Sequence, residues 1–332
     1  MLITAISMFF LPCFAGQKPE LKYDQNGEFK ILQFTDLHFV ADNAAEAEKT
    51  MARIDYIIQA ECPDFIAITG DVLYGNDSSL EYLQRLVDKL DGFKTPFALE
   101  FGNHDREGGR SAQEMSKIIT SAKYNYNTLS KDGVINDCRI NVRPGKDLSA
   151  APLDIYMFDS HDYTKLGTIQ DWSYSYLSCD QIEWYLNECR KSNKQAGVEH
   201  VPSLSFFHIP VPEFYDAWVL AEEAKHNGVI GVRGEYGGHP KVNSGMYCAM
   251  LESGNMMGIF CGHDHDSDYI ISYHGIALGY GRYSGDDTVY NHLAHGTRVI
   301  VAKEGLMEFQ TWIHEDDGRI QYKANYKDGV LK

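Results

Sequence analysis

Apolar residues follow two different periods along the first third of the chain. Residues 29–35, 65–69 and 96–101 are short, β-rich apolar runs. Helical spacing takes over after each of them. Met51, Ile54, Ile57 and Ile58 mark one face of a helix over 44–61, and Leu80, Leu83, Leu86, Val87 and Leu90 mark another over 78–90. A third helix is expected over 111–120. This strand–helix alternation predicts a largely parallel sheet with crossover helices. From Asp154 the pattern shifts. A strand over 154–159, a helix over 178–189 and a strand over 203–208 precede apolar runs at 256–261, 268–272, 276–278, 298–302 and 307–312. With little helix among these runs, they predict a second sheet whose later strands meander antiparallel. Two sheets face to face, with helices outside, is the expected α/β architecture. Residues 123–151, 161–177 and 226–245 are polar and irregular, as functional loops often are. No compositional break marks a linker, so residues 20–332 are expected to form a single domain.

The N-terminus departs from this pattern. Residues 1–16 form an apolar stretch as long as a signal-peptide core, with no Lys or Arg before it and small residues at its end. A signal peptide over 1–15, cleaved after Ala15, is expected, which implies a secreted or periplasmic protein. An integral membrane span is not expected, because Pro12 and the polar Gln17-Lys18-Pro19-Glu20 follow too soon.

Composition narrows the partners. The chain has 332 residues, 44% hydrophobic and 23% charged, as in a soluble globular protein with a sizeable core. Its net charge of −17 would repel a polyanion, so nucleic acid is disfavoured and a small or compact substrate favoured. No protein partner is signalled. Of the seven cysteines, Cys13 leaves with the leader, and none of the rest forms the Cys-x-x-Cys pair of a structural zinc site.

Five short pieces carry the candidate chemistry: Asp36-Leu37-His38, Gly70-Asp71, Gly102-Asn103-His104-Asp105, the isolated His208, and Gly262-His263-Asp264-His265. Each follows an apolar strand-like run. If strand geometry persists, Asp36 and His38 point to one side, as do His263 and His265, while Asp264 faces away. Asp71, after a glycine that allows close approach, is placed to give one oxygen to each of two metal ions. Asn103 adds an amide oxygen and His208 completes a mixed nitrogen and oxygen donor set. Such donors suit two divalent or mixed-valence ions of Mn, Fe, Zn, Co or Ni. Those ions outweigh the two carboxylates in charge, so a phosphate dianion can bridge them and an activated water can attack in line. His104 is assigned as the catalytic general acid or a stabiliser of transition-state charge. Asp105 either orients it or caps the loop. Arg282 either forks a phosphate or lies on the surface. Trp172, Tyr174 and Tyr176 either line a pocket for a planar leaving group or pack a long loop. The histidines at 161, 200, 226, 239, 274, 292, 295 and 314 lack such company and are taken as structural or surface residues.

These pieces, with Phe206-Phe207-His208-Ile209-Pro210, Cys261-Gly262-His263-Asp264-His265-Asp266 and Leu278-Gly279-Tyr280-Gly281-Arg282, make residues 29–313 resemble the calcineurin-like metallophosphoesterases, in the purple acid phosphatase-like branch. The resemblance implies a four-layer α/β/β/α sandwich of two mixed sheets flanked by helices. It also implies one metal within Asp36, His38, Asp71 and His265, and another within Asp71, Asn103, His208 and His263. No tyrosine stands where that branch carries its iron ligand, so the iron–tyrosinate colour is not expected. The implied activity is hydrolysis of phosphate esters by metal-bound hydroxide, monoesters first. The alternatives are a diesterase for nucleotides, cyclic nucleotides or phospholipid head groups, and a non-catalytic metal-dependent binder of phosphorylated ligands.

Overall fold

The computed structural model describes residues 18–75, 80–167, 171–225 and 227–332. The expected leader and His226 lie outside these residues. The chain opens with three strand–helix units: β1 (Glu28–Phe34), α1 (Ala44–Glu61), β2 (Phe65–Thr69), α2 (Leu80–Phe93), β3 (Phe97–Glu100) and α3 (Ala112–Ile119). A small hairpin of β4 (Thr128–Leu129) and β5 (Ile135–Asn136) leads to β6 (Cys138–Val142) and β7 (Leu153–Met157). A second hairpin, β8 (Tyr163–Leu166) and β9 (Asp171–Tyr174), precedes α4 (Cys179–Ala196), β10 (Ser203–Phe206) and α5 (Glu213–Glu223). Then come β11 (Val229–Ile230), α6 (Met246–Ser253), β12 (Met256–Cys261), β13 (Ile270–Tyr273) and β14 (Ile276–Tyr280). The chain ends in β15 (Gly296–Lys303), β16 (Glu308–Glu315), β17 (Ile320–Lys327) and β18 (Val330–Leu331).

Two seven-stranded mixed sheets result. The first runs β18-β17-β16-β15-β1-β2-β3 and the second β11-β13-β14-β12-β10-β7-β6. β1, β2 and β3 are parallel to one another, and so are β7, β10, β12 and β14. Side-chain alternation then builds three apolar layers. On β1, Leu32 and Phe34 face α1–α3, while Phe29 and Ile31 enter the space between the sheets. Ile66 and Ile68 of β2 repeat the outward face, and Phe65 and Ala67 the inward one. On the far side, Tyr156, Ile259 and Leu278 of the second sheet pack against Tyr185, Phe214 and Met250 of α4–α6. The result is a four-layer α/β/β/α sandwich.

Local chemistry sets the helix ends. Ser178 and Gln181 form a reciprocal capping box at the start of α4, and Gly197 ends it in the left-handed region. Ser111 caps α3 by accepting from the Glu114 N–H. Among the described residues no helix is long and apolar enough to cross a membrane, and the six described cysteines are free.

The late strands depart from expectation. The runs at 298–302 and 307–312 do not extend the second sheet; as β15 and β16 they return to pair antiparallel beside β1 in the first. Periodicity reports which face is buried, and both sheets bury the same intervening layer, so it cannot assign a strand to one sheet or the other. The 161–177 segment is not wholly irregular either, because it holds the β8–β9 hairpin, whose short strands have no continuously buried face. α5 and α6 lay within or beside stretches dominated by aromatic and glycine residues, which obscured the helical period.

Glu61 at the end of α1 ties the first sheet to its helix. Its carboxylate accepts from Lys30 Nζ at 3.0 Å and Trp312 Nε1 at 3.1 Å, and pairs with His314 Nδ1 at 2.7 Å. Burial would raise its pKa, but the His314, Lys30 and Trp312 hydrogen bonds outweigh that and hold it at about 2. A depressed carboxylate stabilises the fold above its unfolded pKa and loses that contribution as pH falls toward the folded value. Glu61→Ala should therefore cost about 2 kcal/mol at neutral pH. In urea unfolding the gap to wild type should narrow as the pH approaches 2; a gap independent of pH would refute the assignment.

Candidate metal centre

All five pieces lie just past the carboxyl ends of parallel strands, the end at which open α/β sheets bind ligands. Asp36 follows β1, Asp71 follows β2, Asn103 follows β3, His208 follows β10 and His263 follows β12. The two sheets are joined at this edge. Gln33 Nε2 donates to the Cys261 carbonyl at 3.0 Å, and His208 Nδ1 lies 2.7 Å from the Thr69 carbonyl. Within the second sheet, the Gly262 N–H donates to the His208 carbonyl at 3.1 Å.

Two buried donor triads form there. Asp36, His38 and His265 each bring one donor atom within 4.8 Å of the others, and so do Asp71, His208 and His263. Asp71 joins the triads: its Oδ2 is 3.4 Å from His38 Nε2 and 3.0 Å from His208 Nε2. Asn103 Oδ1 lies 3.1 Å from His208 Nε2, beside the second triad. Asp264 faces elsewhere and accepts from the Gly238 N–H at 2.8 Å.

Persistent strand geometry does not bring these residues together. Asp36 (φ 54°), His38 (φ 48°), Asp71 (φ 51°) and His263 (φ 77°) all occupy the left-handed region. That conformation is costly for non-glycine residues and tends to mark functional sites. Close packing holds it in place. A Cβ on Gly102 would lie 2.1 Å from Asp71 Oδ1, and one on Gly262 would lie 1.9 Å from Thr35 Oγ1. Both positions therefore require glycine.

Metal ligation needs ionised carboxylates and neutral imidazoles; Asp36, Asp71, His38 and His263 are held in those forms, whereas His208 and His265 are drawn, against burial, toward the protonated form by the carboxylates beside them. Burial opposes ionisation of Asp36, but the His265 hydrogen bond and the His208 charge hold its pKa at about 2. Asp71 is likewise held low, against burial, by His208 and His38. Burial, then His208, pushes His263 down to about 3, and burial also lowers His38. At His208 burial is outweighed by Asp71, and the pKa rises to about 10. Backbone and phenol groups fix the rings from behind. His265 Nδ1 lies 2.9 Å from the Tyr290 carbonyl, and His38 Nδ1 lies 3.3 Å from the Tyr283 hydroxyl. Such outer contacts orient imidazoles toward a metal.

Loop capping holds for Asp105, neither alternative holds for Arg282, and the aromatic cluster divides. Asp105 does not touch His104; its carboxylate accepts from the backbone N–H groups of Gly102 (2.7 Å), Asp71 (2.9 Å) and Leu73 (2.9 Å). The partner of His104 is Glu107, whose Oε1 lies 2.7 Å from Nδ1 while its Oε2 accepts from the Gly75 N–H. The three-residue spacing of His104 and Glu107 across a turn was the available signal. Arg282 neither reaches the centre nor lies on the surface: it is buried and paired with Asp268 and with Glu315 at 3.1 Å. Tyr174 does stand at the centre, its ring 4.4 Å from that of His263, with Trp172 and Tyr163 beside it. Tyr176 lies outside that ring cluster. Tyr163 was not foreseen, yet its hydroxyl accepts from Asn103 Nδ2 at 2.8 Å, which leaves Oδ1 facing His208.

Known proteins share the family and the fold. The family model described as calcineurin-like phosphoesterase matches residues 29–267. The chain is 29% identical to the probable inactive purple acid phosphatase 29 of Arabidopsis thaliana, over 80% of this chain and 74% of that protein. It is 26% identical to phosphatase DCR2 of Saccharomyces cerevisiae, over 78% of this chain and 48% of that one. A dimetal phosphatase from Danio rerio shares the fold, with a TM-score of 0.59 at 10% identity, covering 90% of this chain and 99% of that one.

Asp105→Ala would strip three buried N–H groups of their acceptor and should cost about 2–4 kcal/mol. Asp105→Asn, which keeps one acceptor oxygen, should recover part of it. An unchanged urea midpoint for the alanine variant would rule out the anchoring role.

Proposed function

The chain belongs to the calcineurin-like phosphoesterase family, and from that premise we propose that it is a dinuclear-metal hydrolase acting first on phosphate monoesters. The observation that carries this reading is the pair of buried donor triads joined by Asp71, with His104 beside them. Asp36, His38, Asp71 and His265 would hold one cation, and Asp71, Asn103, His208 and His263 the other. Their mixed imidazole, carboxylate and amide donors fit Mn, Fe, Zn, Co or Ni. Bound there, the ions would polarise phosphoryl oxygens and activate water near neutral pH.

The remaining chemistry belongs to His104. Its backbone N–H donates to Asp71 Oδ1 at 2.8 Å, and its ring Nε2 stands 4.0 Å from Asp71 Oδ2. Glu107 accepts at Nδ1 and so fixes the ring, leaving Nε2 turned toward the centre. A proton on Nε2 is placed to pass to the leaving oxygen as the ester breaks. Glu107 acts through His104 and is a positioning residue. The ring of Tyr74, 4.7 Å from that of His104, limits its movement on the other side.

We further assign export from the cytoplasm on the apolar leader of residues 1–15, and treat residues 20–332 as one domain. A diesterase would use the same groups and is separated from a monoesterase by substrate alone. Some relatives are named inactive, which favours the non-catalytic binder as the rival class; the presence of both triads together with His104 and Glu107 supports an enzyme.

With Mn(II) supplied, the protein should release phosphate from an aryl phosphate. Asp71→Ala should lose bound metal, read by elemental analysis, along with turnover. His104→Ala should retain metal and lose about 10²–10⁴-fold in kcat. Glu107→Gln should lose about 10–100-fold and shift the pH profile of kcat. Metal and substrate binding without phosphate release in wild type would favour the binder.

A further inference from the structure

Among the described residues five large aromatic side chains are exposed, and three of them, Tyr163, Trp172 and Tyr290, stand around the metal centre. The Tyr290 ring is 4.7 Å from that of His265. The other two belong to the β8–β9 hairpin, where Tyr163 pairs with Tyr174 and Lys165 with Trp172. Residues opposite each other in an antiparallel pair share a face, as do residues two apart on one strand. Tyr163, Trp172 and Tyr174 therefore form one aromatic surface, with centroid distances of 5.7 Å for Tyr163–Tyr174, 5.3 Å for Tyr163–Trp172 and 5.1 Å for Trp172–Tyr174.

This surface starts at the donors and runs outward. Its inner end is Tyr174, edge-on to His263, and Tyr163, bonded to Asn103. At its outer end Trp172 remains 51% exposed. Packing accounts for the inner tyrosines but leaves the indole uncovered. Contiguous exposed aromatic area beside a polar centre marks a binding surface, and flat rings gain most from a flat partner.

We propose that the β8–β9 face is the leaving-group subsite, selecting phosphate esters whose leaving group carries a planar aromatic ring that lies against Trp172. The subsite rests on the phosphoesterase reading, since it places the phosphoryl group over the paired triads. A leaving group without a ring gains nothing from this face.

Kinetics on the metal-loaded enzyme test it with 4-nitrophenyl phosphate, a nucleoside 5′-monophosphate and glycerol 3-phosphate. In Trp172→Ala the ratio of kcat/KM for each aromatic ester to that for the glycerol ester should fall about fivefold or more, and Trp172→Phe should restore most of it. A fall for one aromatic ester only identifies which source of ring the subsite takes. Equal losses on all three esters, or none, overturn the proposal. Calorimetry with phenylphosphonate and methylphosphonate, which carry no ester to cleave, gives an independent readout. Wild type should bind the phenyl form more tightly, and Trp172→Ala should erase the difference. Equal affinities in wild type would sink the subsite. If the phosphonates are distinguished but no ester is hydrolysed, the catalytic reading fails and with it the leaving-group role, while ring binding by the β8–β9 face stands.

Discussion

A carboxylate buried where two sheets meet must be compensated on every side, and Asp71 imposes that requirement on the structure around it. Removing a charge from water is costly unless charge and hydrogen bonds replace the lost solvation. Asp71 obtains both. His208 from the second sheet and His38 from the first lie against one oxygen, and the His104 backbone N–H donates to the other. Its own backbone N–H is held by Asp105, which also holds Gly102 and Leu73. The left-handed turn at Asp71 persists because this network and the glycine at 102 leave it no relaxed alternative.

The two-sheet architecture follows from the same need. Neither sheet alone supplies a donor set. Asp36, His38, Asp71 and Asn103 come from the loops after β1, β2 and β3, while His208, His263 and His265 come from loops after β10 and β12. The apolar layer between the sheets, with Phe29, Ile31, Phe65, Leu204 and Phe260, fixes how the two sets face each other. The return of β15–β17 to flank β1 covers that layer and buries Arg298 at its edge, where it donates to the Tyr280 carbonyl at 2.7 Å and to Thr311 at 3.1 Å. Residues remote in sequence from the chemistry thus hold its geometry.

Much of the fold was legible because each early element obeys one simple period. α1, β2 and β12 occupy the residues that periodicity marked, since buried faces there are continuous and Gly70 and Gly262 follow the two strands. The β8–β9 hairpin was not legible, because neither of its short faces is continuously buried and its aromatic residues stand beside the centre rather than in the core. The candidate donors were legible for a related reason. A polar residue placed directly after a buried strand needs a purpose, and five such places recur in one chain.

What the sequence determined by itself was therefore chemical: which side chains end the strands, the glycines that let backbones approach, and a donor set of carboxylates, imidazoles and one amide. What only the tertiary structure decided was relational. It gave His104 to Glu107 rather than Asp105, buried Arg282 against Asp268 and Glu315, and set Tyr163 against Asn103. It also showed that left-handed turns, not continued strand geometry, bring Asp36 to His38 and His263 to the centre. The physical reason is that periodicity records burial one element at a time. Pair distances between loops depend on how two sheets are stacked, and no local pattern encodes that stacking.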